Sequence, residues 1–196
     1  MVITIEQTKE LRDKTGISIM QCKKALEDAG GDMEKAVILL RKKGADIASK
    51  KADREFHSGR VATYVHCTGA TGAMVEVSCE TDFVAKNEEF AKMAYDIAMQ
   101  IVATKPSYIK RADVPAEEME KAKEVFSAEV KGKPEAIKEK ILSGKMDSYF
   151  KDKILLEQDF IKDPSITVAV LIQNAIQKFG EKMEIARFSR FGVMEK

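Results

Sequence analysis

A chain of 196 residues, 33% of them charged and 44% hydrophobic, is long enough for one ordinary domain and a small one, and its balance is globular rather than disordered. Lys and Arg number 33 against 32 Asp and Glu, so the chain lacks the cationic excess that drives non-specific nucleic-acid binding, and no direct nucleic-acid partner is expected. Its apolar runs are too short for a membrane span, and Met1–Glu6 lacks a basic region followed by an apolar stretch; the expected location is therefore the cytoplasm.

Residues 1–45 read as a bundle of three short helices. Thr4 with Gln7 and Ser18 with Gln21 have the spacing of capping boxes, in which side chain and backbone satisfy each other's free donors. Asp32 is a natural N-cap for the third helix, whose Ala36, Val37, Leu39 and Leu40 face a shared core. Gly16, Gly30 and Gly44 sit where the helices are expected to end in left-handed caps. A bundle this small is near the lower size limit for folding alone, so its apolar positions are expected to be spent inside it. Residues 46–59 are charged and lack an apolar stripe, which predicts a linker that admits some helix.

From Arg60 the apolar period changes to two, and residues 60–196 read as an α+β core. Val61–Cys67, a turn at Thr68–Gly72 and a returning strand Ala73–Ser78 predict an antiparallel hairpin. A helix over Asn87–Ala103 follows, ended by Lys105-Pro106. Pro115 is expected at the first position of the next helix, where Glu117 and Glu118 suit the positive end of its dipole. That helix runs to about Val130 and is broken by Gly132-Lys133-Pro134. Two shorter helices are predicted over Pro134–Leu142 and Lys145–Ile154.

Val168, Leu171, Ile172, Ala175, Ile176 and Phe179 then mark an amphipathic helix stopped by Gly180, and Met183–Phe191 reads as a strand. This strand is expected to complete a three-stranded antiparallel sheet with helices over one face. Tyr64 and Phe188 are expected to leave apolar surface on the other face, and such surface marks an interface.

Between the second strand and the helix after it lies Cys79-Glu80-Thr81-Asp82-Phe83-Val84-Ala85-Lys86-Asn87. An aromatic preceded by an acid on a strand-to-helix turn has two placements open to it: standing proud as a binding anchor, or folded back into the core.

The segment Leu11-Arg12-Asp13-Lys14-Thr15-Gly16 runs on through Met20–Leu26, Asp32–Ala36 and Leu40–Gly44. With Thr81-Asp82-Phe83-Val84 downstream, the chain resembles the elongation factor Ts family from Thr4 to Phe191. The resemblance implies a ubiquitin-associated-like (UBA-like) fold for the bundle. It also implies guanine-nucleotide exchange on the translational GTPase elongation factor Tu, which the factor would meet GDP-bound and leave nucleotide-free.

By resemblance, the turn Thr81, Asp82, Phe83 and Val84 enters the GTPase beside its Mg²⁺, with Phe83 as the wedge and Asp82 orienting the turn. Arg12, Ile19 and Met20 of the bundle dock on a neighbouring helix of the same domain. His66 corresponds to a core contact made from a second subunit, and Lys51 to a further contact. Ile19 departs from the Met pair that the family often carries. Without the resemblance, Arg12 reads as a solvated helix position and Met20 as core packing. The chain has one core half and no coiled-coil heptads, as in the short form of the family, which pairs as a homodimer. The last strand has no Cys, which excludes a disulfide through it.

Little points to covalent chemistry, and neither an enzyme nor a cofactor is expected. His66 and Cys67 are adjacent, but consecutive strand residues point to opposite faces. Cys22 reads as a small core residue. Glu80 and Asp82 form an acid pair only on paper, with no His or metal cluster beside them. Three scattered cysteines fit a reducing compartment, and two histidines are too few for an ordinary zinc site. Besides exchange, the residues admit a binding module whose bundle recognises a partner and whose core dimerises.

Overall fold

Most of the described helices begin where a short polar side chain takes over a free backbone donor of the first turn. The computed structural model describes residues 3–130 and 135–195. Thr4 and Gln7 close a reciprocal capping box on α1 (Ile5–Thr15), and Gly16, at φ 68°, ends it in the left-handed region. Ser18 caps α2 (Ile19–Asp28) by accepting from the Gln21 N–H, and Asp32 caps α3 (Met33–Lys50) through the Lys35 N–H. Leu11, Ile17, Cys22, Leu26, Ala36 and Leu40 form the bundle's own core.

Gly44 does not end the third helix. α3 runs on to Lys50 and so takes up the first part of the expected linker. The reason is packing: Gly44 is buried against α8 (Val168–Phe179), where a Cβ would stand 3.5 Å from the Gln173 carbonyl oxygen. A glycine with a tertiary neighbour at that distance permits close helix approach rather than capping.

The three-stranded antiparallel sheet has the order β1 (Ser58–Val65), β2 (Thr71–Cys79), β5 (Met183–Gly192). β1 meets β2 in unbroken register from Ser58 opposite Cys79 to Val65 opposite Gly72. Between β2 and β5 the register shifts, Glu76 facing Arg187 and Val77 facing Ile185, so Ala186 is an extra residue in a bulge. That one residue lets Met183, Ile185 and Phe188 all turn to the covered face, where α5 (Glu88–Thr104) and α8 pack on Val75 and Val77.

Tyr64 and Phe188 therefore do not form the uncovered face; both lie half-buried against the main core. Tyr64 packs edge-on to Tyr95 of α5, ring centroids 5.6 Å apart. With the period of two, the residues left on the open face are their neighbours Val61 and Val65, with Met74 and Phe191 opposite.

Pro115 stands one position earlier than expected, as the cap of α6 (Ala116–Glu129) rather than its first residue. The two helices expected after it are one, α7 (Glu135–Lys151), which runs through Gly144. Nothing lies within 4 Å of a Cβ built on that glycine. The expected break at Gly132-Lys133-Pro134 lies outside the described residues. Phe150, Ile154, Val114 and Ala122 form a satellite core beneath α6 and α7. Sequence reading missed a short ribbon, β3 (Asp159–Phe160) and β4 (Asp163–Thr167), because segments of two and five residues carry too few alternations to show a period.

Candidate functional site

β2 ends at Cys79, and the next residues close into a one-turn helix, α4 (Asp82–Ala85), before α5 begins. Thr81 caps it by accepting from the Val84 N–H, and Asn87 caps α5 by accepting from the Glu89 N–H at 2.9 Å. Val84 and Ala85 turn inward and are buried, while Asp82 and Phe83 face out. Of the two placements open to Phe83, the structure has the exposed one: the ring is 81% exposed. Its inward neighbour Val84 is 3% exposed, so the turn is anchored on one side and presents an aromatic on the other.

The anchoring extends to both flanks. Asp82 pairs with Lys86 at 2.6 Å, and the hydrogen bond and charge of that ammonium hold the Asp82 carboxyl below its usual range. Burial, with the nearby Glu181 carboxylate, pushes the Cys79 thiol up; it stays protonated and donates to the Thr81 carbonyl at 3.2 Å. Glu80 turns away from Asp82, so the two do not form an acid pair. It accepts from the Lys182 N–H at 2.5 Å and from the Arg54 guanidinium at 2.9 Å. Desolvation alone would raise its pKa, but those two donors outweigh it and leave the carboxyl below the usual value.

The bundle's candidate residues stand at the other end of a short relay. Met20 is 81% and Ile19 50% exposed on the first turn of α2, and Arg12 is exposed near the end of α1. The next residue, Gln21, accepts from the Gln177 amide of α8 at 2.6 Å. Lys178 forms an ion pair with Glu89 in the first turn of α5, and its ammonium lies 3.9 Å from where a Cβ on Gly16 would be. The last turn of α8 thus ties the α1–α2 corner to the start of α5, on the side of the molecule that carries Phe83.

Lys51 and His66 complete the expected set. Lys51 uses its ammonium within the chain, donating to the Gly180 carbonyl where α8 ends. His66 is exposed in the hairpin turn at the end of β2 remote from Thr81, and the strand between them is about 26 Å long at about 3.3 Å per residue. β1 stops at Val65, so the strand alternation that was to separate His66 from Cys67 does not reach them. The Cys67 sulfur is 3.8 Å from His66 Nδ1, which also meets the Thr68 hydroxyl at 3.0 Å.

The family model described as "Elongation factor TS" matches residues 33–195. An elongation factor Ts of Thermotoga petrophila is 50% identical over 195 residues, covering 100% of this chain and 98% of its own. One from Thermodesulfovibrio yellowstonii is 50% identical over 194 residues, with 98% and 97% covered. One from Carboxydothermus hydrogenoformans is 50% identical over 196 residues, with 99% and 90% covered. The chain belongs to the elongation factor Ts family. Membership places it among the translation elongation factors.

For a protein of this family, the groups that sequence reading missed are Arg54, Glu181 and Lys182, which gather at the base of the exposed turn. No local pattern marks them, since Glu181 reaches Thr81 across 100 residues of chain. Among the described residues no three His, Cys, Asp or Glu side chains are grouped to hold a metal ion, and no helix is long and apolar enough to cross a membrane.

Proposed function

We propose that this chain is the guanine-nucleotide exchange factor of elongation factor Tu, and that the Thr81–Val84 turn carries out the exchange without covalent chemistry. The observation that carries the reading is Phe83, an 81% exposed aromatic on a turn whose other face is buried. An exposed aromatic on a fixed support is the usual form of a binding anchor.

A translational GTPase holds its nucleotide through backbone donors, a lysine and Mg²⁺ on the phosphates. Phe83, inserted beside the metal, displaces side chains that support it, while Asp82 orients the turn. Arg12, Ile19 and Met20 hold the GTPase from the bundle side. Binding energy directed at the nucleotide-free form must be returned in reverse, so nucleotide weakens the factor by the same ratio; couplings of about 1–3 kcal/mol are usual. The factor has no means of choosing GTP over GDP, and the relative concentrations decide what rebinds.

The open face of the sheet, with Val61, Val65, Met74 and Phe191 exposed, supports pairing of two copies. A second copy also gives His66 a use, since the contact that the family resemblance assigns to it would then be made from the partner subunit. Work as a translation factor puts the chain in the cytoplasm.

Release of a fluorescent GDP from elongation factor Tu tests the reading, with the wild-type chain and with Phe83→Ala. Acceleration by wild type and its loss in a folded Phe83→Ala are expected. An unchanged release rate with wild type would overturn exchange on that GTPase and leave a dimeric binding module in its place.

A further inference from the structure

The ends of β2 and β5 carry one acidic residue each, and each reaches across to the other strand's end. Glu80, just past β2, accepts from the backbone N–H of Lys182 at 2.5 Å. Glu181, just before β5, takes both donors of Thr81: the backbone N–H at 3.0 Å and the hydroxyl at 2.5 Å. The Thr81 hydroxyl has one proton and two lone pairs. Giving the proton to Glu181 fixes the rotor and aims a lone pair at the Val84 N–H, where it completes the cap of α4. Glu181 thus acts on the orientation of α4, and through α4 on the direction in which Phe83 projects.

The same clasp takes hold of the segment between bundle and core. The Lys182 ammonium donates to the carbonyls of Ala52 at 2.6 Å and Arg54 at 2.7 Å, and lies 4.4 Å from the centre of the Phe56 ring. The Arg54 guanidinium returns to Glu80.

We infer that Glu181 is a positioning residue for exchange: it presets the Thr81 cap, and with it the exposed pose of Phe83, before the GTPase arrives. The inference rests on the exchange reading above. A turn already fixed when it meets its partner loses less conformational freedom on binding than one that must order there. Among the described residues the carboxylate's hydrogen bonds go to the two donors of Thr81, so its effect on exchange is expected to run through the turn.

The test is GDP release at saturating concentrations of the full-length chain, with Glu181→Ala, Phe83→Ala and the double variant beside wild type. Thermal midpoints, and hydrogen exchange of the Val84 amide in the free chain, are measured in parallel. Glu181→Ala is expected to slow maximal release on the order of tenfold, to speed exchange of the Val84 amide, and to cost nothing further in the Phe83→Ala background. Thr81→Val, which removes the cap acceptor itself as well as the bond to Glu181, is expected to show a loss of the same kind at least as large.

A Glu181→Ala chain that releases GDP like wild type, while Phe83→Ala does not, overturns the inference and leaves the exchange reading standing. Equal losses from Glu181→Ala with and without Phe83 also overturn it, because the residue would then act elsewhere. If wild type fails to accelerate release, the exchange reading falls and takes the role of Glu181 in exchange with it. Amide exchange at Val84 still reports, separately, whether Glu181 holds the turn.

Discussion

Gly44 of α3 meets Gln177 of α8 so closely that a Cβ on the glycine would stand 3.1 Å from the Gln177 side-chain oxygen. That oxygen is buried and has no hydrogen-bond partner, while the amide nitrogen of the same side chain donates to Gln21 of the bundle. Bundle and core are joined here by a small residue beside a polar one, not by a large apolar contact.

Gly44→Leu should therefore force α3 from α8. Overpacking of this kind costs about 1–3 kcal/mol, and the loss should appear as a lower thermal midpoint and faster proteolysis between residues 50 and 57. Gly44→Ala should be nearly neutral, since the gain in helix propensity, about 1 kcal/mol, is offset by the displaced end of one flexible side chain. A leucine variant as stable as wild type would show that the helices are not in close contact in solution.

Phe83 and Phe90 are seven residues apart and differ in burial, at 81% and 0% exposed. Phe90→Ala should cost about 3–5 kcal/mol of stability, because the cavity opens in the main core, where the Phe90 ring meets that of Phe179 edge-on. Phe83→Ala should change stability by less than about 0.5 kcal/mol. Urea titrations of the two variants check both; a Phe83 loss as large as that of Phe90 would place its ring in the core.

The carboxyl of Glu80 titrates below the usual value in the folded chain, its own desolvation being outweighed by the Lys182 N–H and the Arg54 guanidinium. A group whose folded pKa is depressed adds stability above its unfolded pKa, about 4.3 for Glu, and loses it as pH falls through the folded value. Glu80→Gln should therefore lower the thermal midpoint at pH 7, and the gap to wild type should narrow steadily below pH of about 4. A gap that stays constant into acid would mean that the charge of Glu80 contributes nothing.

If two copies pair through the open face of the sheet, a charge at its centre should part them. Met74 is half-exposed there, on the central strand β2. Met74→Glu should shift the sedimentation mass to that of a monomer while leaving the circular dichroism unchanged. A wild-type chain that sediments as a monomer at every concentration would remove the dimer.

Much of this arrangement could be read in the sequence because its causes are local. The Thr4 and Asp32 caps, the left-handed Gly16 and Gly180, the hairpin, and helices α5 and α8 all follow from residues within four positions of one another. The turn was legible as a motif, and together with the Leu11–Gly44 segment it carried the family resemblance. Gly44 misled because a glycine that ends a helix and one that lets a second helix approach look the same in sequence.

Tyr64 and Phe188 misled because the face a strand residue takes depends on register, and the bulge at Ala186 reverses the alternation on β5. By itself the sequence determined the caps of α1, α2 and α3, the β1–β2 hairpin, the helices α5 and α8, and that an aromatic sits on the turn after β2. Only the tertiary structure decided that Phe83 points outward, that Glu181 holds the cap beneath it, and that α8 joins the bundle to the start of α5. Those outcomes depend on groups brought together from distant parts of the chain, and no local preference encodes which distant partner arrives.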